Sequence, residues 1–227
     1  MRYRPEVDGL RAIAVLPVVL FHAGHAAFQG GFVGVDIFFV ISGYLITSII
    51  TEDIRQDRFS IVKFYERRIR RIFPALFAVL AVVSVAACWI LLPAELEHYA
   101  RSVVAATLFA SNIYFWRDSG YFDATAETKP LLHTWSLGVE EQFYIFFPVA
   151  LYLLHRFGRK WANWIAGAAL ASFVVSVLMV GPFSVASFFL LPTRAWELFL
   201  GALISLGAFP RVRSLAARQG LSIVGIG

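Results

Sequence analysis

Arg11 and His22 stand at the two ends of an apolar stretch, residues 12–21, and their spacing suits a helix. Eleven helical steps rotate by about 1100°, roughly 20° past three full turns, and rise ~16 Å, so both side chains lie on one face. This spacing places Arg11 at a membrane surface and His22 near mid-depth. An ionisable residue that deep in an apolar helix indicates either a functional site or an interior histidine bonded to a neighbouring helix.

The chemistry that His22 offers in such a place is general-base catalysis. A neutral imidazole in a partly desolvated cavity takes the proton of a hydroxyl that must become a nucleophile. A neighbouring carboxylate would orient the ring and stabilise its charged form. The expected catalytic set is therefore His22 with Asp36 and Glu140, which lie in two other apolar segments. No metal site is expected.

A second group of candidate residues is the arginine cluster in the run E-R-R-I-R-R, namely Arg67, Arg68, Arg70 and Arg71. Spacings of three and four place Arg67 on one helix face with Arg70 and Arg71. A fixed cluster of guanidinium groups suits phosphates. The alternative is a topology anchor that meets lipid headgroups. Spacing alone leaves both interpretations open.

Composition excludes a water-soluble domain, because 59% of the 227 residues are hydrophobic and the mean hydropathy is +0.71. Several stretches reach the ~20 apolar residues that span a bilayer. The predicted fold class is an all-α, polytopic integral membrane helical bundle. The net charge of +5 does not indicate a nucleic-acid partner, because the basic residues lie between the apolar runs. The single cysteine, Cys88, lies inside a predicted span, so no disulfide framework is expected.

The apolar runs predict six complete spans and the start of a seventh. The spans cover about residues 10–28, 32–50, 72–92, 135–154, 161–180 and 185–206, and the seventh begins at 220–227. A cleaved signal peptide is the rival interpretation of the N-terminus, since Arg2 and Arg4 precede a short apolar core. Glu6 and Asp8 fit that interpretation poorly.

The apolar piece 102–116 is short for a span, and the charge pattern indicates that it is re-entrant or interfacial. If it does not cross, residues 1–11, 52–71, 155–160 and 211–218 all face the cytoplasm and hold most of the Lys and Arg residues. Residues 93–134 then lie outside. If it did cross, both later basic loops would lie outside.

The predicted spans contain a set of ionisable residues at similar depths in the outer half of the bilayer. They are His22, Asp36, Glu140, Glu141, Arg194 and Glu197. Each would be costly facing lipid, so one shared polar cavity is expected, with Glu141, Tyr144, Arg194 and Glu197 as its supporting residues. The alternative is a set of neutralised pairs, such as Arg194 with Glu197 three residues on.

Five motifs along the chain resemble one known family. They are, in order, Y-R-P-E-V-D-G-L-R-A-I-A-V-L-P-V-V-L-F-H, G-G-F-V-G-V-D-I-F-F-V-I-S-G-Y-L-I-T, F-Y-E-R-R-I-R-R-I-F-P-A-L, H-T-W-S-L-G-V-E-E-Q-F-Y and P-T-R-A-W-E-L-F-L-G. The sequence resembles the bacterial membrane acyltransferase-3 family, the O-acetyltransferases of lipopolysaccharide O-antigen, peptidoglycan and other glycans. The resemblance covers about residues 3–207.

The resemblance implies a function and assigns residues to it. The family takes acyl groups, usually acetyl, from cytoplasmic acyl-CoA, which is a co-substrate and not a bound cofactor, and delivers them to sugar hydroxyls at the outer face of the bacterial inner membrane. The N-terminus would then be cytoplasmic. His22 would be the base or acyl-transfer residue, and Arg11 with the arginine cluster would hold the CoA. Some members carry an outer-face esterase-like domain, which is a possible partner.

The length of the chain departs from the family pattern. The family's membrane core has about ten spans, so this chain is expected to be a C-terminally truncated part. Two other functions stay open. Buried charges on several spans also mark transporters of small anionic or glycan-linked substrates, and an early end favours a non-catalytic remnant.

Overall fold

The computed structural model describes residues 5–119, 129–157, 160–209, 214 and 219–220. Within these residues the chain forms nine α-helices and no strand. In chain order they are α1 (Pro5–His22), α2 (Gly34–Arg55), α3 (Ile61–Ile90), α4 (Pro93–Thr107), α5 (Ser111–Asp118), α6 (Thr134–Arg156), α7 (Trp161–Val180), α8 (Ser184–Phe189) and α9 (Leu191–Ser205). The predicted seventh helix at 220–227 lies outside the described residues, apart from Gly220.

Five segments of the described chain are long and apolar enough to cross a bilayer. They are Gly31–Arg55, Ile61–Ile90, Thr134–Arg156, Trp161–Val180 and Ser184–Ser205. The first helix, α1, is apolar only in its later turns, because Glu6, Asp8 and Arg11 lie within its first seven residues. The expectation of an all-α membrane helical bundle is confirmed.

The first helix is displaced from the predicted span 10–28. It begins at Pro5 and ends at His22, because the chain turns at Gly24 with a positive φ of 79°. The amide of His25 donates to the carbonyl of Leu20 and that of Gly24 to Phe21, which is the bond pattern of a Schellman motif. Arg11 consequently lies well inside the helix, and His22 is its last residue.

The third helix begins eleven residues before the predicted start at Ile72. Ser60 caps it, since its Oγ accepts a hydrogen bond from the amide of Lys63 at 3.4 Å. The whole arginine cluster is therefore helical. At 30 residues, α3 is about 45 Å long, which exceeds the ~30 Å hydrocarbon core.

Residues 93–118 form two helices, α4 and α5, separated by a break at 108–110. Phe109 adopts a positive φ of 52° at this break, and its carbonyl accepts a hydrogen bond from the Gln142 amide at 2.9 Å. With 15 and 8 residues, neither helix reaches the ~20 residues of a span. A similar break at Leu190 divides the predicted span 185–206 into α8 and α9.

Three helices, α2, α6 and α9, run parallel and form the centre of the bundle. Later residues of α2 contact later residues of α6. The Phe39 and Trp135 rings are in contact, and further along both helices Ser42 is hydrogen-bonded to Glu140. The pairing of α2 with α9 advances in the same way, from Asp36–Arg194 to Ser48–Ser205.

The close crossing of α2 and α9 depends on two glycines. A Cβ on Gly43 would overlap the Leu198 carbonyl, and one on Gly201 would overlap the Val40 carbonyl. Glycine therefore allows the two backbones to touch.

The outer helices α1 and α3 run antiparallel to their neighbours in this centre. Gly34 of α2 lies against Ala14 of α1, and Gly31 lies against Pro17. On α3, the Tyr65 hydroxyl donates to the Ile145 carbonyl of α6 at 2.6 Å, and one turn later Arg68 pairs with Glu141, one turn earlier on α6. In this register α6 begins opposite the middle of α3, so the arginine-bearing turns of α3 face the polar turns of α6.

Candidate active site

A cavity of about 550 Å³ with several charged side chains in its lining lies where α1, α2, α3 and α6 meet. Its ionisable lining residues are Asp8 and Arg11 of α1, Arg68 and Arg71 of α3, and Glu140, Glu141 and Tyr144 of α6. The wall formed by α2 is apolar and includes Leu45, Ile46 and Ile49. The structure thus brings together Arg11, half of the arginine cluster and the paired glutamates.

The four arginines of the cluster divide between two faces of α3. Arg68 and Arg71 line the cavity. Arg67 instead pairs with Asp53 at 3.0 Å, and Arg70 pairs with Glu66 on its own helix at 2.7 Å. The predicted face of Arg67 with Arg70 and Arg71 is therefore not the face that meets the cavity. Helical spacing is equally compatible with either grouping, since residues three apart and four apart are both neighbours.

Arg68 closes one side of the cavity through an ion pair. Its Nη2 lies 2.5 Å from Oε1 of Glu141, and its guanidinium lies 3.7 Å from the centre of the Tyr144 ring. The Arg68 and Glu141 side chains are 17% and 9% exposed, so the charges largely neutralise each other away from water.

Arg11 and Arg71 differ from Arg68 because neither forms an ion pair among the described residues. Arg11 lies over the Phe38 ring at 5.7 Å, and its buried Nε has no hydrogen-bond partner in the described part of the chain. Two guanidinium groups that face one cavity with unused donors can bind a phosphate.

Glu140 faces the same cavity but bonds to neutral groups. Its Oε1 accepts hydrogen bonds from the Ser42 hydroxyl and from the Tyr144 hydroxyl, each at 2.6 Å. Ser42 is not recognisable from the sequence as a site residue, because a hydroxyl in an apolar helix commonly bonds to its own backbone. Thr47 and Ser48, in the second turn after Ser42, do so.

Asp36, Arg194 and Glu197 form a second polar cluster, apart from the cavity. Arg194 bonds to Asp36, and its Nη1 lies 3.2 Å from Glu197, whose side chain is 1% exposed. The aromatic rings of Phe39, Trp135 and Phe188 surround the Arg194 guanidinium at 5.7–5.8 Å. The expected single shared cavity is therefore wrong for these three residues. Arg194 instead contacts both carboxylates, and its contact with Glu197 is the pair that the alternative interpretation described.

His22 lies outside both clusters, at the exposed end of α1. Its Nδ1 is 2.8 Å from the Val18 carbonyl. Because a carbonyl only accepts, Nδ1 carries a proton in this contact, and in a neutral ring the lone pair is on Nε2. No carboxylate bonds to the ring among the described residues, so the backbone and not Asp36 or Glu140 orients it.

His133 is a further histidine, which no sequence motif identifies as a site residue. It precedes α6, and burial by the surrounding protein lowers the pKa of its partly exposed ring below the usual histidine range. A hydrogen bond to the Pro130 backbone opposes this change, and the charge of His22 adds to it. Among the described residues, no group of three or more His, Cys, Asp or Glu side chains could hold a metal ion.

Comparison with known proteins gives a consistent result over most of the chain. The sequence model of a family described as an acyltransferase domain matches residues 4–226. The O-acetyltransferase OatA of Staphylococcus aureus strain NCTC 8325 is 38% identical over 216 residues, covering 90% of this chain and 34% of OatA. The protein SAS0844 of S. aureus strain MSSA476 is 45% identical over 158 residues, covering 68% of this chain and 26% of SAS0844. The chain thus spans about a third or less of the length of these curated relatives. No solved structure matches it.

Proposed function

Because the chain belongs to the acyltransferase-3 family, we propose that it takes part in moving an acyl group from acyl-CoA to a hydroxyl of a cell-surface glycan. The O-acetyltransferase OatA among its relatives favours acetyl as the acyl group. The observation that carries this proposal is the pair of unpaired guanidinium groups, Arg11 and Arg71, in a cavity between membrane helices.

The length of acyl-CoA suits the distance between this cavity and His22. Arg11 and His22 are eleven helical positions apart, which corresponds to ~16 Å along α1. Acyl-CoA carries its phosphates and its thioester at opposite ends of a long pantetheine arm. Phosphates held by Arg11 and Arg71 would therefore leave the thioester free to extend along the helix towards His22.

The transfer itself needs one base and one leaving group. Nε2 of His22 would take the proton of the acceptor hydroxyl while the hydroxyl oxygen attacks the thioester carbonyl. The carbon–sulfur bond then breaks, and the CoA thiolate leaves and takes up a proton. The product is an ester on the acceptor and free CoA.

The charge distribution supports an orientation with the donor on the cytoplasmic side of a bacterial inner membrane. Most Lys and Arg residues lie in segments that this orientation places inside, including the N-terminus. The parallel direction of α2 and α6 supports it too. Two parallel spans need one crossing in the opposite direction between them. The helix α3 supplies that crossing, so no further crossing between α3 and α6 is required. His22 then lies towards the outer face, where a glycan hydroxyl would arrive.

The test compares two arginines of α3 that differ in position but not in chemistry. Lysine keeps the positive charge but cannot make the bidentate contact to phosphate. We expect Arg71→Lys to raise the KM for acyl-CoA at least ~tenfold, about 1.4 kcal/mol, in inverted membrane vesicles that contain the protein. Arg70→Lys, which changes a residue paired with Glu66 outside the cavity, should leave the KM unchanged. Equal KM values for both variants and the wild type would remove Arg71 from the donor site.

A further inference from the structure

The two carboxylate oxygens of Glu140 have different surroundings. Oε1 accepts both hydroxyl hydrogen bonds, from Ser42 and from Tyr144, at 2.6 Å each. Both donors are buried, with exposed fractions of 1% and 3%. Nothing in the described part of the chain bonds to Oε2, although Glu140 lines the cavity. The two hydroxyls thus fix the carboxylate so that its second oxygen is available to a ligand.

The neighbouring Glu141 shows why this arrangement is specific to Glu140. Glu141 is neutralised by Arg68, whereas Glu140 has only neutral partners among the described residues. Arg68 also lies on the Tyr144 ring and holds the second hydroxyl donor in place. An ionised carboxylate has about four lone-pair positions, and two of them are used here. Glu140 therefore retains the capacity to accept hydrogen bonds, and it faces the cavity.

The chemistry of the donor supplies matching groups. The pantetheine arm of acyl-CoA contains two amides, each with one N–H, between the phosphates and the thioester. An amide N–H that enters a cavity with an apolar wall, such as that of Leu45, Ile46 and Ile49, needs an acceptor. A carboxylate repels nearby phosphates, so the second oxygen of Glu140 suits a neutral hydrogen-bond donor such as an amide N–H.

We propose that Oε2 of Glu140, held in place by Ser42 and Tyr144, accepts a hydrogen bond from an amide N–H of the pantetheine arm. Ser42 is accordingly a positioning residue of the donor site. This inference rests on the proposed function, because it takes acyl-CoA as the ligand of the cavity. It separates the cavity into a phosphate part, with Arg11 and Arg71, and an arm part, with Glu140.

The experiment measures the binding of two ligands to the purified protein in detergent. One is CoA, and the other is adenosine 3′,5′-bisphosphate, which has phosphates but lacks the arm. We expect Glu140→Ala to weaken CoA binding about tenfold and Ser42→Ala to weaken it about threefold. The bisphosphate should bind to Ser42→Ala as it does to the wild type. It should bind to Glu140→Ala equally well or more tightly, because the variant removes a negative charge near the phosphates.

The test is selective because Glu140→Ala should lower the affinity for CoA but should not lower the affinity for the bisphosphate. Electrostatics alone would tighten the binding of both ligands to Glu140→Ala, so weaker binding of CoA requires a lost contact with the arm. Wild-type CoA affinity in both variants would overturn the inference, as would equal weakening of both ligands. If the wild type binds neither CoA nor the bisphosphate, the proposed function fails, and this contact fails with it.

Two further variants on α2 control for folding. Ser48→Ala makes the same substitution two turns later, where the hydroxyl bonds to the Tyr44 carbonyl and to Ser205. It should change the binding of neither ligand. Ser42→Thr keeps a hydroxyl at the contact and should restore CoA affinity relative to Ser42→Ala. Loss of CoA binding in Ser48→Ala equal to that in Ser42→Ala would assign Ser42 a merely structural role.

Discussion

Arg68 and Arg71 lie one turn apart on α3 but have different neighbours, and we infer different roles for them from these neighbours. Arg68 is held by Glu141 and by the Tyr144 ring, so it shapes the cavity. Arg71 faces the same cavity without an ion pair among the described residues, so its donors are available. A guanidinium that already pairs with a carboxylate offers little to a second anion, so Arg71 is the stronger candidate for phosphate binding.

The ion pair of Arg68 and Glu141 gives a prediction about stability. We expect Glu141→Gln to lower the free energy of unfolding by roughly 3 kcal/mol, because it leaves the Arg68 charge unpaired in a mostly buried position. The double variant Glu141→Gln with Arg68→Met should recover part of this loss. Thermal unfolding in detergent measures both effects.

The control for that prediction is an ion pair of the same type at the surface. Glu97 and Arg101 lie 2.6 Å apart on α4, and their side chains are 66% and 62% exposed. We expect Glu97→Gln to change stability by less than ~1 kcal/mol. If Glu141→Gln were as mild as Glu97→Gln, the buried pair would contribute no more than a surface pair.

His22 gives the residue-scale prediction about catalysis. We expect His22→Ala to reduce acyl transfer ~10²–10⁴-fold, as the removal of a general base does, while membrane insertion stays intact. Mass spectrometry of surface glycans from cells that express each variant measures the transfer. His25→Ala, three residues later in the same exposed turn, should retain wild-type acylation. Full acylation by His22→Ala at equal expression would exclude His22 as the base.

Residue types could be predicted from the sequence, but their partners could not. The charges inside the apolar runs were visible, and so was the possibility of an Arg194–Glu197 pair, which the structure contains. Whether Arg67 or Arg68 faces the cavity depends on where α6 packs against α3, which spacing along one helix does not specify. Ser42 carried no signal at all, because its role arises from Glu140, 98 positions away.

At the scale of helices, the misplaced ends have local causes that the sequence contained. Gly24 ends α1 and Ser60 begins α3, and these are residue types that commonly cap helices. Hydropathy alone misplaces both helix ends. It detects the residues that are apolar enough to face lipid, whereas a helix can continue through charged turns. Arg11 and the arginine cluster consequently lie within helices and not in the loops before them.

The crossing of α2 and α9 gives a prediction at the helix scale. We expect Gly43→Ala to destabilise the bundle, towards the upper end of the ~1–3 kcal/mol range for overpacking, because the new Cβ overlaps the Leu198 backbone. Gly167→Ala on α7 is the matched control, since no atom lies within 4 Å of its new Cβ. That variant should be neutral or more stable by about 0.5–1 kcal/mol. Thermal unfolding that moves in the same direction for both variants would show that the crossing tolerates a side chain.

At the scale of the whole molecule, the common direction of α2, α6 and α9 constrains the path of the chain. The segment between α3 and α6 must return to the side on which α3 ends, and α4 and α5 are each too short to cross. This geometry supports the sequence-based expectation that residues 93–134 stay outside, which remains a prediction.

Cysteine labelling in intact cells tests that expectation. In a Cys88→Ser background, we expect Glu97→Cys on α4 to react with an impermeant thiol reagent. Phe157→Cys, which is 70% exposed after α6, should react only after the membrane is opened. The reverse labelling pattern would mean that residues 93–134 lie in the cytoplasm.

The bond between Asp36 and Arg194 also has a consequence for how the protein is made. The two residues are 158 positions apart, so at synthesis rates of ~5–20 residues per second Arg194 emerges roughly 8–30 seconds after Asp36. During that interval α2 enters the bilayer with an acidic side chain whose partner does not yet exist, which is costly in lipid. A newly inserted α2 must therefore hold Asp36 near the headgroups or against the insertion machinery until α9 arrives. The order of synthesis, and not only the finished bundle, limits which charges this helix can carry.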